Sequence, residues 1–151
     1  MVIEMKNMNP LTLMFTALLA MLALDWAVPL ARISNAWLVL AGIAIIAFGV
    51  VMAIGAEGQF RKRGTTVDHL GKASKLVTDG WFQYSRNPMY LSFLLLLAGA
   101  CLSLGSISPV FIMPAFVILT ERWFIVQEER RLLATFGKEF QSYQKRTRRW
   151  I

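Results

Sequence analysis

Two charged islands interrupt an otherwise apolar chain. Arg86-Asn87-Pro88-Met89-Tyr90 stands at the head of a long uncharged run, and Glu128-Glu129-Arg130-Arg131 follows its end. Such groups are costly to hold near lipid, so a cluster in or beside a membrane segment is a functional site by default. Asn87-Pro88 is suited to open a helix, because Asn is a favoured N-cap and Pro lacks only an N–H that the first turn does not use. A helix start offers free backbone donors and partial positive charge, which attract an anion such as a ligand carboxylate. Arg86 adds a full charge there, and Tyr90 sits about one turn on, on a similar face. The same pentapeptide also fits an Arg/Tyr anchor at a membrane interface. In the second island Glu128 can pair with Arg131 at i, i+3, which also fits a solvated helix end. Taken together, the islands point to an enzyme site at a membrane face.

The elements that must position these residues are apolar. Of 151 residues, 56% are hydrophobic and 17% charged, which is too little charge for an ordinary soluble domain. No charge falls between Pro10 and Leu24, between Ile33 and Ala56, or between Pro88 and Thr120. About 20 apolar residues make one span, so the first two stretches each predict one. The third is too long for one helix, and Gly105-Ser106-Ile107-Ser108-Pro109 reads as the turn of a helical hairpin. The predicted fold is all-α: a single-domain integral membrane four-helix bundle. Its spans lie near 10–31, 35–56, 88–105 and 109–126, with a polar loop over 57–87 and a tail over 127–151. The fourth span is expected to continue as one helix to about Thr135. On that helix Arg122 and Glu129, seven residues apart, would share a face, with Glu121 and Glu128 on an adjacent stripe.

The net charge is +7, and its distribution argues for topology rather than nucleic-acid binding. Apart from Lys6 and Arg32, every Lys and Arg lies in 57–87 or 121–151. Four spans put both segments on one side, which the positive-inside rule makes cytoplasmic, with both termini inside. The basic excess would also draw anionic headgroups. The apolar N-terminal stretch is long for a signal peptide and is expected to be a retained first span. Gly42, Gly49 and Gly55, interleaved with Ala, would allow close helix packing. Trp81, Phe82 and Tyr84 favour a loop that folds back onto the membrane surface. Gly137 should break the last helix, and Phe140, Tyr143 and Trp150 with Arg146, Arg148 and Arg149 predict an amphipathic tail along the interface.

Glycine-rich phosphate loops, zinc-ligand clusters and nucleophile elbows are missing from the sequence. The sole His69 reads as a surface residue, and the sole Cys101 as a small core or lipid-facing one. Asp25, beside Trp26 and Pro29, reads as an interfacial carboxylate near the outer end of span one. Its other reading, an ion or proton site, would make the chain a small four-span transporter.

Several stretches carry a family resemblance: Gly64-Thr65-Thr66, Lys75-Leu76-Val77-Thr78-Asp79-Gly80, Tyr84-Ser85-Arg86-Asn87-Pro88-Met89-Tyr90-Leu91, and Glu128-Glu129-Arg130-Arg131-Leu132-Leu133 followed by Phe136-Gly137-Lys138-Glu139-Phe140 and Tyr143. In this order, around an apolar hairpin, they resemble the isoprenylcysteine carboxyl methyltransferase and phospholipid methyltransferase superfamily over residues 60–150. The resemblance implies S-adenosylmethionine as methyl donor, held without a Rossmann domain in a cytoplasmic-side pocket. Ser74, Lys75, Leu76, Val77 and Phe82 would line it, with Asn87, Pro88, Met89 and Tyr90 as a second binding stretch. Glu128 would stand at the acceptor end with Glu129 beside it. The isoprenylcysteine enzymes have His at the position of Asn87 and an Arg at that of Phe124, where the nearest Arg here is Arg122. That departure bears on recognition of a prenylcysteine carboxylate.

Arg86 and the helix start would then hold the donor's carboxylate, with Phe82 and Tyr90 against its adenine or sulfonium. Glu128 would take a proton from an amine or thiol acceptor, or orient a basic partner. The expected partners are the bilayer and an amphiphilic or hydrophobic acceptor. A catalytically silent membrane scaffold is the third reading.

Overall fold

The computed structural model describes residues 9–33, 35–64 and 74–151. His69, Thr65 and Thr66 lie outside the described residues. Asn9 opens α1 (Pro10–Ala27), its side-chain oxygen accepting from the Leu11 N–H at 3.0 Å. Asn35 caps α2 (Ala36–Arg63) in the same way, through the Leu38 N–H at 2.9 Å. Helix α3 (Pro88–Leu104) ends at Gly105, whose φ of 69° supplies the left-handed turn expected there. A 3₁₀ turn (Ser108–Phe111) leads into α4 (Ile112–Thr120), a π-turn (Glu121–Ile125) and α5 (Val126–Phe136). After Gly137 comes α6 (Lys138–Arg146).

The described residues form an all-helical membrane bundle. Pro10–Ala27, Ala36–Arg63 and Ser108–Phe136 are each long and apolar enough to cross a bilayer, and Pro88–Leu104 is a shorter apolar helix of 17 residues. Helix α3 is central, packing on α2 along one side and on α1 and α4 along the other. The α2–α3 contact is backbone-close. A Cβ added to Gly99 would meet the Gly42 carbonyl at 2.5 Å, and one added to Gly49 would meet the Ser92 carbonyl at 3.1 Å. Gly42 and Gly49 thus perform the packing role expected of them. Gly55 instead makes room for the Trp81 indole.

Helix α2 runs further than the expected 35–56. At 28 residues it is about 42 Å long, against a hydrocarbon core of about 30 Å. Glu57, Gln59, Arg61, Lys62 and Arg63 extend the helix instead of opening a loop. The basic last turn suits the negative end of the helix dipole. This extension holds the connection to α3: Gln59 accepts from the Trp81 N–H and donates to the Asp79 carbonyl, both at 3.2 Å. Arg63 pairs with Asp79 at 2.9 Å and holds that carboxyl below its usual range. A 3₁₀ turn over Gly80–Gln83 follows, with Gly80 at φ 58° against the Gln59 side chain.

The end of the bundle away from the charged islands is zipped shut. Ile107 N–H donates to the Leu30 carbonyl (3.0 Å), and Ile33 N–H to the Gly105 carbonyl (2.7 Å). Ser106 donates to Asp25, and Ser108 to the Val28 carbonyl. Asp25 is therefore a tie between α1 and the hairpin turn. Asp25→Asn, which keeps an acceptor for Ser106, should change stability by only about 0.5 kcal/mol. Unaltered melting would check this, and a loss of function confined to this substitution would favour the ion-site reading.

Candidate active site

At the opposite end, the start of α3 faces α5. Tyr90 lies in the first turn of α3 and is 3% exposed. Its hydroxyl donates to a Glu128 carboxylate oxygen at 3.2 Å. The Tyr90 ring stacks on Phe124 (centroids 6.3 Å, interplanar 24°) and meets Phe93 edge-on at 6.5 Å. The two charged islands thus meet directly, through a phenol and a carboxylate walled by aromatic rings. Phe124 supplies a ring face to the pair, at the position where the resemblance led us to expect an Arg.

Next to this pair lies an ionic network. Arg86 donates to Glu129 from Nε (3.2 Å) and Nη2 (2.8 Å), and from Nη1 to the carbonyls of Gln144 (3.2 Å) and Thr147 (2.6 Å). Both charged partners are only 11% exposed. Arg149 donates to Glu129 from Nε (3.2 Å) and Nη2 (2.7 Å) and also pairs with Glu121. A guanidinium has five N–H donors, and those of Arg86 are largely spent on protein groups. The side chain ties α5 and the C-terminal segment to the start of α3.

Asn87 begins α3 as expected, but its side chain makes no capping bond. Its Nδ2 donates instead to the Arg149 carbonyl at 2.9 Å, which also accepts from the Ser85 hydroxyl at 3.3 Å. Arg86 N–H donates to the Arg148 carbonyl at 3.0 Å. The last residues therefore run alongside 83–87.

The remaining expected residues divide by burial. Val77 and Phe82 are buried in an apolar cluster with Ala56, Phe140 and Tyr143, and Leu76 and Met89 pack against it. Phe82 meets Phe60 edge-on at 4.9 Å, and its carbonyl accepts from the Tyr143 hydroxyl at 2.5 Å. Burial raises the Tyr143 phenol above its usual range, so it remains a donor. Pro88 is buried, while Ser74 and Lys75 are exposed. Cys101 is buried in the main core.

Arg122 is exposed and does not share a face with Glu129. The expectation assumed an unbroken α-helix. The π-turn over Glu121–Ile125 inserts an extra residue per turn, so residues eight apart, not seven, align across it. Glu121 and Glu129 are eight apart, and both reach Arg149. Sequence reasoning missed this pairing and missed Arg149; the only signal for it was that spacing of two glutamates.

Fold and site together define an integral membrane protein with a polar, aromatic-walled centre at one end of a helical bundle. Residues 37–139 match the phospholipid methyltransferase family, and the chain belongs to that family. An uncharacterised Haemophilus influenzae protein is 35% identical over 63 residues, which are 42% of this chain and all of that protein. The structure of the eukaryotic intramembrane Ras methyltransferase ICMT (isoprenylcysteine carboxyl methyltransferase) matches 99% of this chain with TM-score 0.66 and 21% identity. The chain spans about half of that enzyme, 54% of its length, and the likeness is one of fold.

Proposed function

We propose that the chain transfers a methyl group from S-adenosylmethionine to an amphiphilic amine or thiol at the cytoplasmic membrane face. The observation that carries this reading is the Tyr90–Glu128 hydrogen bond beside the Phe124 and Phe93 rings, in a chain of the phospholipid methyltransferase family. This donor set fits the cofactor: a carboxylate and aromatic faces both favour a cation, the latter by about 0.5–2 kcal/mol. When bound, S-adenosylmethionine supplies an electrophilic methyl on a cationic sulfur. Asn87, Pro88, Met89 and Tyr90, with the Ser74–Val77 stretch and Phe82, are the residues proposed to hold it.

An amine or thiol must lose a proton before or as it attacks, and Glu128 is the group placed to take it. The Tyr90 hydroxyl holds that carboxylate in one orientation. The Phe124, Phe93 and Tyr90 rings keep water away, which strengthens the polar contacts made there. Alignment of acceptor and methyl then supplies much of the rate. Gathering of the basic residues at this end supports a cytoplasmic orientation.

Incorporation of labelled methyl into lipid amines, lipid thiols, a prenylcysteine and their water-soluble analogues tests the reading. Transfer to a membrane-borne amine or thiol is expected. Activity only on water-soluble acceptors would overturn the membrane-acceptor assignment, and preference for the prenylcysteine carboxylate would remove Glu128 as a base.

A further inference from the structure

We infer that Arg149, in the segment that follows α6, is a positioning residue for this site. The inference rests on the proposed function for its kinetic consequence, but its structural core stands apart from it. Arg149 joins Glu121 at the start of the π-turn to Glu129 in the first turn of α5. It therefore spans the one irregular segment of the helix that carries Glu128. A π-turn is rare, occurs mostly as a single turn inside an α-helix and is frequent at functional sites, and its register decides which way every later side chain points. Glu128 adjoins Glu129, so a brace on Glu129 sets the direction in which Glu128 meets Tyr90.

The brace is itself anchored. Its own carbonyl accepts from Asn87 and Ser85, and the preceding carbonyls of Arg148 and Thr147 accept from Arg86. Trp150, next in sequence, packs against the main core. Four charges, Arg86, Glu129, Arg149 and Glu121, balance to zero. Removal of Arg149 leaves Glu129 paired with Arg86 and leaves Glu121, 35% exposed, within reach of solvent. The bundle should survive this, while the π-turn loses its brace. A lysine provides one compact charge instead of a planar fork and cannot grip both carboxylates equally.

The test uses the full chain in detergent, as wild type, Arg149→Ala, Arg149→Lys, Glu128→Gln and the Arg149→Ala/Glu128→Gln pair. Arg146→Ala, an exposed change on α6, is the control. In Arg149→Ala, amide hydrogens of residues 121–136 should exchange about tenfold faster, with α1 and α3 unchanged. Methyl transfer should slow about tenfold in kcat with little change in cofactor KM. Arg149→Lys should fall between, and Arg146→Ala should match wild type. The pair should be no slower than Glu128→Gln alone, because Arg149 acts through Glu128; independent roles would multiply. Unchanged exchange over 121–136 in both Arg149 variants, or multiplied losses, would overturn the inference. Should the wild type transfer no methyl at all, the proposed function falls and exchange alone decides the role of Arg149.

Discussion

Glu128→Gln should lower methyl transfer to an amine or thiol acceptor by about 10²–10⁴-fold, the range for loss of a positioned general base. Glutamine keeps the size of the side chain and an oxygen that can accept from Tyr90, so the fold should be retained, and cofactor binding should weaken far less than the rate falls. The loss should therefore appear in kcat. Single-turnover transfer with saturating cofactor, wild type against Glu128→Gln, measures it. A rate within about twofold of wild type would mean that the acceptor reacts without surrendering a proton. Glu128 would then only orient a partner.

Gly99→Leu should have the largest effect on stability. Even a Cβ at this position would lie 2.5 Å from the Gly42 carbonyl and 2.7 Å from an Ile46 side-chain carbon. The first obstacle is backbone and cannot rotate away, so α2 and α3 must part. Overpacking typically costs about 1–3 kcal/mol, occasionally more, and a leucine here belongs at the upper end. The damage should reach the site, because the far end of α2 holds the segment before α3 through Gln59 and Arg63. Thermal unfolding in detergent should show a lower midpoint, together with weaker cofactor binding. Gly58→Ala, where an added Cβ meets nothing within 4 Å, should cost nothing comparable. Equal stability of Gly99→Leu and wild type would contradict the close-packed interface.

What could be read from sequence divides along physical lines. The helices and hairpin were legible because lipid imposes long uncharged runs, and because Gly105 and Asn87-Pro88 punctuate them locally. The meeting of the two islands followed from placing an apolar hairpin between them. The extension of α2 to Arg63 was not legible, since Glu57–Arg63 is as polar as a loop and only its packing against Trp81 and Asp79 distinguishes it. The π-turn leaves no composition signal, so the alignment of Arg122 with Glu129 failed by one residue. The long-range pairing of Arg86 with Glu129 cannot be seen from the Arg86-Asn87-Pro88 pattern. Arg149 read as one of several tail cations until the chain's return to residues 83–87 set it apart.

In the proposed function, the end of the bundle around Tyr90 and Glu128 holds S-adenosylmethionine. Calorimetric binding of S-adenosylmethionine and S-adenosylhomocysteine to the detergent-purified chain, with Tyr90→Ala alongside, tests it most directly. Saturable binding that Tyr90→Ala abolishes, in a protein that still unfolds cooperatively, is the predicted result. No binding to folded, monodisperse wild type, or equal binding by the Tyr90→Ala variant, would contradict it.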